Sequence, residues 1–230
     1  MDWSVIVEYK DLFIRGLFYT TILTIGAVLT GLVIGLSLGL MRLSKKLVLY
    51  FPAKLYIDIF RGTPLLLQIL FIHFAVLPEV AKVFGLSSPD AILSGFVALS
   101  LNAGAYIAEI FRGGIQSVEK GQMEAARSLG MSHTQAMRHI ILPQAFKRML
   151  PPLGNEFIAL LKDSSLVSVI AVNDLIYAAQ TTAKVTWERW VPYITAGVLY
   201  FILTYLLSRV VFWLEKRYST EGEGNLDDTN

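Results

Sequence analysis

The sequence predicts an all-α membrane protein of about five transmembrane helices, and three observations carry that reading. Hydrophobic residues make up 54% of the 230-residue chain and charged ones 17%, with a mean hydropathy of +0.56, outside the balance of a soluble domain. Residues 17–41, 91–108 and 191–208 each run without a charge, near or above the ~18 residues that mark a spanning helix. Lysine and arginine are also unevenly divided between the segments that join these runs, as a fixed membrane orientation requires.

The chain opens MDWSVIVEYKDLF, without the basic n-region and small-residue cleavage site of a secretory signal, so the first span is expected to remain as an anchor. That span carries Gly31, Gly35 and Gly39, two overlapping GxxxG steps on one helix face. Close packing inside one subunit is preferred here over a dimer seam, because small-residue faces are common in membrane helices.

A second span is expected near 55–77, with Asp58 and Arg61 inside it. Pro64 in FRGTPLLLQ removes a backbone donor and disfavours helix at Thr63, so the segment should break near Gly62. Broken backbone at membrane depth is tolerated where it lines a wet cavity or lies buried in protein, which makes Arg61 and Gln68 candidate pathway residues. The alternative for Arg61 is that it snorkels to an interface. The third span, 91–108, contributes Asn102, and His73 in the second is expected to be packed or hydrogen-bonded, not a metal or proton site.

The stretch 124–143, EAARSLGMSHTQAMRHIILP, is a charged connection between hydrophobic segments. Gly130 is placed to end a short helix in the left-handed region, and Ser132 with Gln135 three residues on matches a capping box for a second. Met137, Ile140 and Ile141 then share a face, and Pro143 is expected to stop the pattern. Ala125 and Ala126 would keep the first helix slim enough for a groove, and Glu124 would offer a carboxylate to a basic partner. An amphipathic helix pair lying on the inner leaflet is the alternative.

The fourth span is expected near 155–175, charged residues included, because intramembrane ionisable groups are costly and mark function. Glu156 and Asp163 are seven residues apart, as are Asn155 and Lys162, so each pair shares a face. The carboxylates could meet a cationic group and Lys162 an α-carboxylate, with Asn102 as a neutral polar group at similar depth. The alternative is that Lys162 and Asp163 pair with Arg61, Asp58 or each other to fix helices. After the fifth span, 219–230 reads as a disordered acidic tail, which leaves 1–218 as one transmembrane domain. Trp3, Trp187, Trp190 and Trp213 fall near span ends, as an aromatic belt would.

Arg42, Lys45 and Lys46 after the first span, six more between Arg112 and Arg148, and Arg209, Lys216 and Arg217 outnumber Lys10, Arg15, Lys82, Lys184 and Arg189. That predicts the N-terminus outside, the C-terminus inside and the 124–143 loop in the cytoplasm. The net charge of +2 is too small to suggest nucleic acid. With no cysteine, neither a disulfide framework nor a thiolate metal site is available.

The Glu-Ala-Ala, Gly130, Ile140, Leu142 and Pro143 spacing resembles the cytoplasmic coupling loop, the EAA loop, of ABC importer permeases. The likeness extends upstream to FRGTPLL and downstream to LPPLGNEFIALLKDSSLVSVI at 150–170, strings similar to those of the histidine, arginine and glutamine importers. The resemblance implies a permease subunit of a prokaryotic inner-membrane importer, with a second permease copy, a cytosolic ATPase dimer and an extracytoplasmic amino-acid-binding protein as partners. It implies ATPase coupling through Glu124, Ala125, Ala126, Leu129, Gly130 and Ser132, in a loop of about 117–143. Substrate binding is expected from Glu156, Asp163, Lys162, Asn102, Arg61 and Gln68, with no metal and no catalytic residue. No GxxxxGK[ST] string is present, so ATP and Mg would sit on the partner.

Two rival classes remain. An intramembrane hydrolase would need Ser164 or Ser165 beside Lys162, yet adjacent helical residues do not face each other. A proton-coupled secondary carrier could use Asp163, Glu156 and His73 as a relay.

Overall fold

The computed structural model describes residues 2–87 and 89–218, and among these every regular element is helical. The tail expected at 219–230 lies outside the described residues. A short α1 (Ser4–Glu8) leads into α2 (Lys10–Leu43). At 1.5 Å per residue α2 is about 50 Å long, more than the ~30 Å hydrocarbon core.

The glycine face of α2 packs inside the subunit, as expected. A Cβ on Gly31 would come within 2.8 Å of the Ala103 side chain, and one on Gly35 within 2.6 Å of Ile107. Both contacts belong to α6 (Ala91–Ser117), which Asp90 starts by accepting the Leu93 amide at 2.7 Å. Small residues let α6 sit at the centre: 61% of its apolar window is buried, against 6% for the last helix.

Between α2 and α6 the chain forms α3 (Leu47–Gly62), α4 (Leu65–Phe71), a π turn (Ile72–Val76) and α5 (Leu77–Val83). The break at Thr63–Pro64 is present, with Thr63 extended at φ −123° and ψ 148°. Its position corrects the second span. The crossing segment is Leu65–Val83, while Asp58 and Arg61 lie before it on the separate helix α3. The physical reason is Pro64, which divides the 55–77 region into two helices.

After α6 come α7 (Lys120–Ser128), α8 (His133–Ala136), a second π turn (Met137–Ile141) and α9 (Leu142–Asp163). Pro143 does not stop the helix. The backbone stays helical from Ala136 into α9, with the π turn ending two residues before the proline. Pro78 stands in the same place after the first π turn. The wider π ring relieves the clash and the missing donor that would otherwise end the helix.

The fourth span is corrected too. Residues 155–175 are not one helix: α9 ends at Asp163, a 3-10 turn follows over Ser164–Ile170, and Ala171 is left-handed at φ +61°. Then α10 (Leu175–Thr186) and α11 (Trp190–Tyr218) complete the chain. Lys10–Leu43, Leu65–Val83, Ala91–Ser117 and Trp190–Tyr218 are long and apolar enough to cross a membrane. The charged α9 is not among these.

The main core joins Leu23 and Ala27 of α2, Ala98, Leu99, Ala103 and Ile107 of α6, Met149 and Leu160 of α9, and Val167. Phe13, Leu175, Ala178, Ala179 and Ala196 make a smaller one. Large apolar side chains left outside these cores, such as Val33, Phe74 and Phe201, face outward as lipid contact demands. Trp3, Trp187, Trp190 and Trp213 are likewise exposed near helix ends.

Candidate functional site: the coupling loop and the inner polar face

The loop is two short helices and a sharp turn. At the end of α7 the Gly130 amide donates to Arg127 O at 3.1 Å and the Met131 amide to Ala126 O at 3.2 Å, a Schellman closure. Gly130 takes φ +85° there, a conformation that costs other residues. The Ser132 Oγ accepts the Gln135 amide at 3.2 Å and Gln135 Oε1 accepts the Ser132 amide at 2.8 Å, a complete capping box.

Burial separates the two alanines. Ala126 is 5% exposed and packs inward, whereas Glu124 and Ala125 face outward. Leu129 is 85% exposed on the same turn as Gly130 and Ser132, a large apolar side chain with no cover. The outward face is therefore acidic at Glu124 and apolar at Leu129. Met123 and Met137, on the inward side, pack against the main core.

The loop is tied to both helices that flank it. Arg148 of α9 donates to the carbonyl of Ser117 at the end of α6, and Gln144 donates to Ile140 O at 3.0 Å. From this junction Asn102 lies fifteen residues up α6 from Ser117, and Glu156 lies eight residues along α9 from Arg148. At helical rise these separations are about 22 Å along α6 and about 12 Å along α9.

The candidate solute residues divide into two groups. Gln68 and Asn102 are 7% and 6% exposed, and Asn102 Nδ2 donates to Gln68 Oε1 at 2.9 Å. Gln68 Nε2 in turn donates to Phe60 O at 2.8 Å and to Thr63 O at 3.0 Å across the α3–α4 break. On α9, Glu156 is half-buried and Lys162 and Asp163 are exposed. Among the described residues none of these three side chains makes an ion pair.

Arg61 pairs elsewhere than anticipated. Its Nη1 is 3.5 Å from Glu109 Oε2, and its guanidinium lies over the Tyr106 ring at 5.4 Å. Among the described residues Lys162 and Asp163 form no ion pair with Arg61, Asp58 or each other. Glu109 also accepts from Arg112 Nε at 3.0 Å and Nη2 at 2.7 Å, a bidentate contact. His73 Nδ1 meets Ser94 Oγ at 2.9 Å, a hydrogen-bonded histidine as expected. Ser164 Oγ is buried and donates to Leu161 O at 2.7 Å. No three His, Cys, Asp or Glu groups converge as a metal site would among the described residues.

Residues 15–220 match the family described as the binding-protein-dependent transport system inner membrane component. The chain belongs to that family. It is a permease subunit of the ABC importer kind. The permease is 40% identical over 217 residues to the probable glutamine ABC transporter permease protein GlnM of Bacillus subtilis, covering 94% of this chain and 98% of that one. It is 38% identical over 218 residues to the glutamate/aspartate import permease protein GltK of Escherichia coli, covering 94% and 97%. A solved amino acid ABC transporter with histidines matches with a TM-score of 0.85 and 45% identity, over 94% of this chain and 99% of that one.

Sequence reasoning missed the roles of three charged residues of the permease. Glu109 and Arg112 stand three apart at the end of the uncharged run, a spacing that reads as a helix pair. Asp174, fully buried, caps α10 by accepting the Tyr177 amide at 2.8 Å and also accepts from Tyr200 Oη at 3.3 Å. The Asn-Asp pair before an apolar run was its signal.

Proposed function

We propose that the permease moves a polar or basic L-amino acid inward by alternating access, driven by a cytosolic ATPase dimer. The observation that carries this is the outward face of α7, where Glu124, Ala125 and Leu129 are presented without cover. A short helix with an exposed apolar anchor and one carboxylate suits a groove on a soluble partner. The partner would hold ATP and Mg, and closure of two ATPases would draw two such loops together. A second, identical permease copy and an extracytoplasmic amino-acid-binding protein complete the complex, in the inner membrane of a prokaryote.

Five crossings are the reading that supports this cycle, with α9 as the charged fourth and the termini on opposite sides. The lysine and arginine distribution orients the loop to the cytoplasm. The transport domain is 1–218 and the loop about 117–143. Glu156, Asp163, Lys162, Asn102 and Arg61 form the solute-facing set, because α9 charges without internal partners need water or a zwitterion beside them. The substrates named for the relatives above, glutamine, glutamate and aspartate, are of this polar class.

Nothing in the geometry favours the rival readings. Ser164 is bonded to a carbonyl and His73 to Ser94, so neither has the base or relay partner those mechanisms need. The direct test is ATPase activity in the assembled complex, stimulated by loaded binding protein. Glu124→Arg should remove the stimulation while leaving the ATPase active by itself. Full stimulation in that variant would refute the coupling role.

A further inference from the structure

Pro64 has no N–H, so the Phe60 carbonyl that the amide four residues on would normally pair is left without a backbone donor. The Gln68 side chain takes that place. Its Nε2 donates to Phe60 O at 2.8 Å, with Thr63 O at 3.0 Å and Thr63 Oγ1 at 2.9 Å also in reach. Its Oε1 accepts from Asn102 of α6 at 2.9 Å. An amide nitrogen carries two protons, so three acceptors already exceed what Gln68 can donate. The side chain is also buried, and a solute could use its nitrogen only by stripping carbonyls inside the protein.

A second bond reaches α6 directly from α3: Tyr56 Oη donates to Leu101 O at 2.8 Å, and the Tyr56 ring packs on Phe60 at 4.5 Å. The last turn of α3 is thus fixed to α6 at 101–102. Arg61 follows Phe60 directly, and among the described residues its guanidinium is held by the 3.5 Å approach to Glu109 and by the Tyr106 ring.

We propose that Gln68 is a positioning residue, which repairs the hydrogen bond Pro64 deletes, joins it to Asn102, and so sets where Arg61 presents its charge. This rests on the reading of Arg61 as solute-facing. Gln68 itself touches no solute.

The test is uptake of labelled arginine and glutamine by proteoliposomes holding the full complex, with KM and kcat measured for each. Gln68→Leu should change the ratio of the two KM values by about fivefold, in the range for residues sharing one network. In an Arg61→Met background the same substitution should change the ratio no further. Tyr56→Phe should shift the ratio in the same direction by less, and serves the same comparison if Gln68→Leu does not assemble. Multiplying effects of Gln68→Leu and Arg61→Met would point to direct solute contact and overturn the proposal, as would fewer complexes with an unchanged ratio. A wild-type complex that imported neither probe would overturn the transport reading, and this proposal with it.

Discussion

Glu156 is held half-buried on α9 with no hydrogen bond or ion pair from its side chain to any described residue, although a carboxylate in hydrocarbon is costly. Two acidic groups on one helix face, Glu156 and Asp163, suit a cationic side chain or an α-amino group. Glu156→Gln should lower arginine uptake by on the order of tenfold or more while affecting glutamine less, since a desolvated charge pair loses more than a neutral contact. Equal uptake of arginine, histidine and glutamine by Glu156→Gln and Asp163→Asn would remove both from the site. At the other end, Gly130 has open space around it, so only its φ of +85° resists a side chain. Gly130→Val should cost about 1–2 kcal/mol of loop stability, visible as faster amide exchange in α7 and weaker binding of the ATPase. Gly130→Asp should weaken coupling as well, by adding a charge to the docking turn.

The elements differ in how much of them a sequence can show. The α7–α8 turn was legible because a Schellman glycine and a capping box act within six residues, and both hold as read. The break at Pro64 was legible for the same reason. The continuation through Pro143 was not, since a proline rule assumes α geometry before it and the preceding π turn changes that geometry. The repeated pattern of a π turn followed by Leu-Pro, at Leu77–Pro78 and Leu142–Pro143, is the signal that was available. The meeting of Arg61 with Glu109 was illegible because the two residues come from different helices and only packing brings them together. Packing also decides the glycines of α2. Gly35→Ala should destabilise by about 1–3 kcal/mol, because its Cβ would crowd Ile107. Gly113→Ala on α6 meets open space and should be neutral or stabilising by about 0.5–1 kcal/mol. Thermal unfolding of the two variants in detergent separates them; equal midpoints would contradict the close α2–α6 packing.

At the scale of the whole molecule, one central helix connects the two functional regions. α6 carries Asn102 and Glu109, lies against the glycine face of α2, and ends where Arg148 of α9 binds its last turn. On the proposed mechanism a pull on the loop would move α6 and α9 together, and these helices carry most of the proposed solute-facing set. The peripheral α11 is far less buried than α6, at 6% of its apolar window against 61%. On the proposed function this division would separate where energy enters from where solute sits, and would make uptake conditional on a partner. The measurement that tests it most directly is uptake of labelled arginine, histidine and glutamine into proteoliposomes, with the ATPase and binding protein each added or withheld. The account predicts uptake of at least one of them only when the ATPase, ATP and binding protein are all present. Uptake by the permease alone, driven by a proton gradient, would contradict it.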